Sequence, residues 1–96
     1  MAKTTKALRI EGEMTIYRAA ELKQLMAPLF DPSAKAPRAI DLSEVGEIDC
    51  SGVQLLALAK REAAEAGRAL NLEKASPAVA EVFALLGLGS LLAAAA

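Results

Sequence analysis

Hydrophobic positions change their period several times along this chain, and the changes mark out alternating strands and helices. From Ala7 to Glu11, Leu8 and Ile10 alternate with Arg9 and Glu11, the period-two pattern of a strand with one buried face. Gly12-Glu13 reads as a turn, and Met14-Thr15-Ile16 as a second short strand. A helix capped by Thr15 or a neighbour then runs to about Leu29, with Leu22, Leu25, Met26 and Leu29 on one apolar face. Asp31 to Pro37 is a loop, because its two prolines and small polar residues interrupt both periods.

The second half repeats the alternation. Arg38 to Leu42 is short and apolar enough for a central strand, and Ser43-Glu44-Val45-Gly46-Glu47 carries the chain across one edge to Ile48. A second helix starts at Ser51 or Gly52 and runs to about Ala66, with Gly67 as its stop. Gly52, Leu55, Leu56, Ala59, Ala63 and Ala66 share its buried face, while Gln54, Leu58, Arg61 and Glu65 form an outer stripe. Ala69 to Glu73 reads as another strand. Ser76-Pro77 starts a third helix by a cap followed by proline at the first helical position, and Gly87 ends it after Val79, Val82, Phe83 and Leu86. The tail from Leu88 to Ala96 either continues helically or frays. Together these elements predict an α/β fold over residues 1–96, a mixed β-sheet of about four to five strands with three to four helices packed on it.

Composition narrows what such a domain does. Ninety-six residues suit one domain with one core, and with 54% hydrophobic but only 3% aromatic residues that core is aliphatic. Eleven basic and twelve acidic side chains, interspersed, leave a net charge of −1 and no basic stripe, which argues against nucleic-acid binding. No apolar run reaches the roughly 20 residues that span a bilayer, and the first six residues carry no secretory signal, so a cytoplasmic protein is expected. The chain has one cysteine, Cys50, and no histidine; no metal, no cofactor and no catalytic residue is therefore expected. A Gly-rich phosphate loop is also absent from the sequence.

The candidate site is Ile48-Asp49-Cys50-Ser51-Gly52-Val53, which sets a hydroxyl where an apolar strand gives way to a long helix. Ser51-Gly52-Val53-Gln54 matches a capping box, in which Ser51 accepts from a first-turn N–H and Gln54 reaches back. A phosphate on the same hydroxyl would add about −1.5 to −2 charges at a helix amino terminus, where an anion is favoured. Asp49 is an alternative cap, an acidic repeller or a group orienting Ser51. Cys50 reads as a small packing residue or, at a helix start, a reactive thiol. Gly52 permits close approach of backbone or partner. With Gln54, Leu58 and Arg61 of the outer stripe, these residues compose a predicted partner-binding surface.

The chain resembles the STAS family, the sulfate-transporter and anti-sigma-factor-antagonist domain. Gly12-Glu13-Met14-Thr15, Ala20-Glu21-Leu22, Ile40-Asp41-Leu42-Ser43, Ile48 to Val53 and Val82 to Leu88 carry the resemblance over nearly the whole length. It implies a non-enzymatic regulatory domain that binds an anti-sigma serine kinase until Ser51 is phosphorylated, with Asp49 as the preceding acid. Typical sigma antagonists have an acid where this chain has Thr15, and many have Ser or Thr where it has Cys50. The segments Thr15-Ile16-Tyr17 and Leu55 to Ala63 also look like STAS proteins encoded beside chemotaxis kinases and the small STAS subunit of lipid-transporting ABC systems. That likeness implies a constitutive binding subunit, with a chemotaxis kinase or transporter ATPase as partner.

Overall fold

A computed structural model describes residues 7–30 and 37–92. Strand β1 (Ala7–Met14) leads through a 3-10 turn (Ile16–Arg18) into α1 (Ala19–Met26), which tightens into a second 3-10 turn (Ala27–Phe30). Strand β2 (Ala39–Ile48) is followed by α2 (Cys50–Glu65), β3 (Asn71–Glu73), α3 (Pro77–Leu85) and a 3-10 turn (Gly89–Leu91). The predicted loop over Asp31 to Pro37 lies, apart from Pro37, outside the described residues.

Each strand pairs with its neighbour in parallel, in the order β1-β2-β3, and α1 and α2 lie in the crossovers that parallel pairing requires. The α/β class expected from the sequence is therefore present. The sheet differs in detail, having three strands among the described residues and parallel pairing throughout rather than a mixed set of four or five. Two of the predicted breaks are not breaks. Gly12-Glu13 is no turn: β1 runs straight through it, with Gly12 at φ +86° beside a register shift in which β2 inserts Gly46 between the partners of Gly12 and Glu13. Met14 therefore ends β1 and opens no second strand. Ser43 to Glu47 likewise stays inside β2, because register shifts let the strand absorb its polar residues and still pair to Ile48.

Register sorts the residues by face. Leu8, Ile40 and Leu72 are cross-strand neighbours in an apolar row, and Arg9, Asp41 and Glu73 form the adjacent polar row. Ile10, Met14, Ile40, Leu42, Val45 and Leu72 from the strands meet Leu22, Met26, Leu56, Ala59, Val79 and Phe83 from the helices in one aliphatic core. Phe83 is the one aromatic inside it, as Tyr17 and Phe30 are exposed.

Leu25 leaves the predicted face of α1 and is exposed, since the regular helix ends at Met26 and the turn containing Pro28 tightens to bring Leu29 inward instead. At α3 the predicted start is observed: Ser76 Oγ accepts the Val79 N–H at 3.2 Å, Pro77 is the first helical residue, and the hydroxyl donates to the Val45 carbonyl at 2.6 Å. Leu86 is exposed beyond the helix end. The tail neither extends α3 nor frays as far as Leu92, which bridges to Leu72 in parallel beside the sheet. No helix among the described residues is long and apolar enough to cross a membrane.

Candidate functional site

Helix α2 begins where β1 and β2 end, and one carboxylate organises the junction. Asp49 is extended, at φ −118° and ψ −173°, and its Oδ1 accepts the Ser51 N–H at 2.9 Å and the Gly52 N–H at 3.2 Å. Its Oδ2 accepts the Ile16 N–H at 3.1 Å. The Asp49 N–H donates to the Met14 carbonyl, and the Asp49 carbonyl accepts from Val53, both at 3.1 Å. Asp49 thus caps α2 and ties it to both the end of β1 and the turn after it.

The predicted Ser51–Gln54 capping box is not formed. A carboxylate one position ahead of the helix has two acceptor oxygens and reaches both first-turn amides, so the serine is displaced into the helix as its second residue. Ser51 is half-buried, and among the described residues its Oγ has no hydrogen-bond partner. Cys50, the first helical residue, is an exposed free thiol.

Gly52 faces inward rather than toward a partner. A Cβ placed on it would lie 2.4 Å from the Met14 carbonyl oxygen and 2.8 Å from Ile48 Cγ1, so the residue lets α2 approach β1 more closely than any side chain allows. The remaining predicted residues turn outward. Gln54 and Arg61 are exposed, Leu58 is 42% exposed, and Arg61 pairs with Glu65 at 3.6 Å one turn on. Ser51, Gln54, Leu58 and Arg61 recur at helical spacing and form one face roughly 15 Å long. Leu55, expected inside, is half-buried and joins Leu58, Met26, Ala27 and Phe30 in a groove between α1 and α2, edged by Lys23 and Glu62.

Three residues of this junction were not among the predicted site residues, although Ile16 and Tyr17 lie in a segment that carries the family likeness. Ile16 is 59% and Tyr17 91% exposed on the 3-10 turn that Asp49 holds. Arg18 closes the same turn: its guanidinium donates to the carbonyls of Glu11 and Glu13, on either side of Gly12, and pairs with both carboxylate oxygens of Glu21 at 3.1 Å. The hydrogen bonds from Arg18 hold the Glu21 carboxyl below its ordinary pKa, and Glu21 in turn raises that of Arg18. The available signal was Tyr17, an aromatic residue next to Ile16 that breaks the strand alternation before it and lies outside the apolar face of the helix after it.

Elsewhere, Asp41 lies almost fully buried in the polar row of the sheet. Its Oδ1 accepts from the Ser43 hydroxyl at 2.7 Å and the Ser43 N–H at 2.9 Å, with Arg9 Nε 3.6 Å from Oδ2. The Ser43 side-chain bond first, then its backbone bond and the charges of Lys74 and Arg9, hold this carboxyl below its ordinary value. Among the described residues no three His, Cys, Asp or Glu side chains are grouped to hold a metal ion.

The described residues thus form a small parallel α/β domain with the Ser51 hydroxyl at the mouth of a crossover helix, flanked by exposed apolar side chains. The chain is a member of the STAS domain family, whose family model described as Mlab, STAS domain matches residues 1–93. Among solved structures it is similar to the anti-sigma factor antagonist SpoIIAA in its unphosphorylated form, with 24% sequence identity and a TM-score of 0.70 over 100% of this chain and 84% of that one. This is a likeness of fold. No curated protein matches the chain.

Proposed function

We propose that this STAS domain is a non-enzymatic, cytoplasmic regulator that binds a serine kinase of the anti-sigma type through the mouth and outer face of α2, and that phosphorylation of Ser51 by that kinase ends the binding. The observation that carries the reading is the division of labour between Asp49 and Ser51. Asp49 does the capping, which leaves the Ser51 hydroxyl at a half-exposed position without a hydrogen bond among the described residues.

The same arrangement bears on what a phosphate would do. The Ser51 and Gly52 amides, which an anion at this helix start would seek, are already engaged by Asp49. A phosphoserine two residues from that carboxylate would meet like charge and turn its oxygens outward. A partner packed on the neutral hydroxyl would then have to desolvate a dianion, which is strongly unfavourable without a paired cation. SpoIIAA, similar in fold, is an anti-sigma factor antagonist described in an unphosphorylated form, which is the biology this reading assigns to the present chain.

A second reading is favoured by the Mlab-type family model and by exposed apolar side chains on two elements, Tyr17 and Leu58. In it the domain is a constitutive subunit of a lipid-transporting ABC system or a chemosensory complex, and Ser51 is a contact only. Phosphosite mapping of the protein isolated from its own cells separates the two. Phosphate on Ser51, absent from Ser51→Ala, is the outcome expected of the switch; an unmodified Ser51 under all growth conditions, with a permanently bound ATPase or chemotaxis kinase, would replace it with the second reading.

A further inference from the structure

The exposed Ile16 and Tyr17 stand on a turn that is held from both sides. On one side Asp49 Oδ2 accepts the Ile16 N–H; on the other Arg18 grips the end of β1 on either side of Gly12, and Glu21. Ile16, 59% exposed, and Tyr17, 91% exposed, stand beside each other and take no part in the core among the described residues. A turn fixed in this way presents them with little further loss of conformational freedom, the condition under which an aromatic side chain contributes most to binding. From this juxtaposition we propose that the Ile16–Tyr17 turn is a preformed anchor, inserted into an apolar pocket of the same protein that docks on Ser51 and the α2 face.

The surroundings say what the pocket's owner looks like. Glu13 and Glu47 are register neighbours at the same end of the sheet, Asp49 follows two residues later, and Arg18, paired with Glu21 and close to Glu13, sets one cation against these four carboxylates. The anchor therefore protrudes from an acidic rim, which disfavours an anionic lipid surface and calls for a folded protein whose pocket is edged by lysine or arginine. Such rim cations stay hydrated and steer association, whereas Ser51 lies at the contact itself, where a dianion must lose its water. The inference rests on the binding reading of α2 but not on phosphorylation.

A photocrosslinking amino acid at position 17 and another at position 54, used in living cells, test it. One and the same protein is expected at both positions and none from position 84 on α3. That protein, purified after capture at position 54, should bind Tyr17→Ala and Ile16→Ala at least tenfold more weakly than the unaltered domain, with unchanged circular dichroism and a salt-dependent association rate. Binding within twofold of the unaltered domain by both variants, or crosslinking at 54 without crosslinking at 17, overturns the anchor while the α2 surface stands. Tyrosine-dependent cosedimentation with phosphatidylglycerol vesicles, in place of protein capture, also overturns it. Loss of binding by Tyr17→Ala alongside full binding by Ser51→Asp would keep the anchor and refute the switch.

Discussion

The Asp49 carboxylate accepts the backbone N–H of Ile16 at 3.1 Å across 33 residues of sequence. Because the same side chain caps α2, one residue sets the helix start and the exposed turn beside it. Asp49→Ala should cost about 1–2 kcal/mol, the range for a lost cap, seen as a lower urea midpoint with an unchanged slope. Asp49→Asn, which keeps an acceptor oxygen, should recover part of the loss. Full stability of the alanine variant would mean that Ser51 or solvent can serve the first-turn amides equally well.

Gly52 should tolerate no side chain. The Cβ of Gly52→Ala would collide with the Met14 carbonyl, a backbone atom that cannot rotate aside. A loss of about 1–3 kcal/mol is expected from forcing α2 off the end of the strands. Thermal unfolding measures it, and an unchanged midpoint would show that the helix start moves freely.

Arg18 should hold the end of β1 more than it holds the helix. Arg18→Ala removes donors to two strand carbonyls as well as the Glu21 pair, whereas Glu21→Ala removes only an exposed ion pair. Hydrogen exchange should therefore accelerate along Ala7–Met14 in the arginine variant and change little in the glutamate variant, in keeping with the small worth of exposed pairs. Equal acceleration in both would assign the clamp to Glu21.

Asp41 makes the acid limb of stability predictable in sign. Its carboxyl is held below the ordinary value of 3.8, chiefly by the Ser43 hydroxyl. The folded state thus binds that proton less readily than the unfolded chain, and the resulting stabilisation is complete above about pH 4. It fades as pH falls below 3.8 and is lost once the lowered folded value is passed. Asp41→Asn should flatten this part of the profile, and Ser43→Ala should shift it toward higher pH. A denaturation series between pH 2 and 7 checks both, and parallel curves for all three proteins would contradict the assignment.

What the sequence made legible follows from how local each signal is. The start of α3 was readable because Ser76-Pro77 acts within one turn, and Leu58 was placed outside because a wheel needs only the helix itself. Gly12 misled because a glycine at positive φ serves a hairpin turn and a register shift within a strand alike, and only pairing with β2 decides between them. At the site, a serine and an aspartate two residues apart offer alternative helix starts, Asp49 serving the Ser51 and Gly52 amides where a cap at Ser51 would serve Val53 or Gln54. Asp49 also bonds the Ile16 N–H, a contact with no trace in local spacing. The exposure of Tyr17 was hidden for the same reason, since it depends on where β1 ends.

The central claim is that negative charge on the Ser51 oxygen changes what the domain binds and leaves its fold alone. Titration of the protein crosslinked at position 54 with the unaltered domain, Ser51→Ala and Ser51→Asp, each checked for its unfolding midpoint, tests it most directly. Near-equal affinity for the first two, at least tenfold weaker binding by Ser51→Asp and midpoints within about 0.5 kcal/mol of one another, the range of ordinary surface substitutions, are the predicted result. Undiminished binding by a folded Ser51→Asp would contradict it.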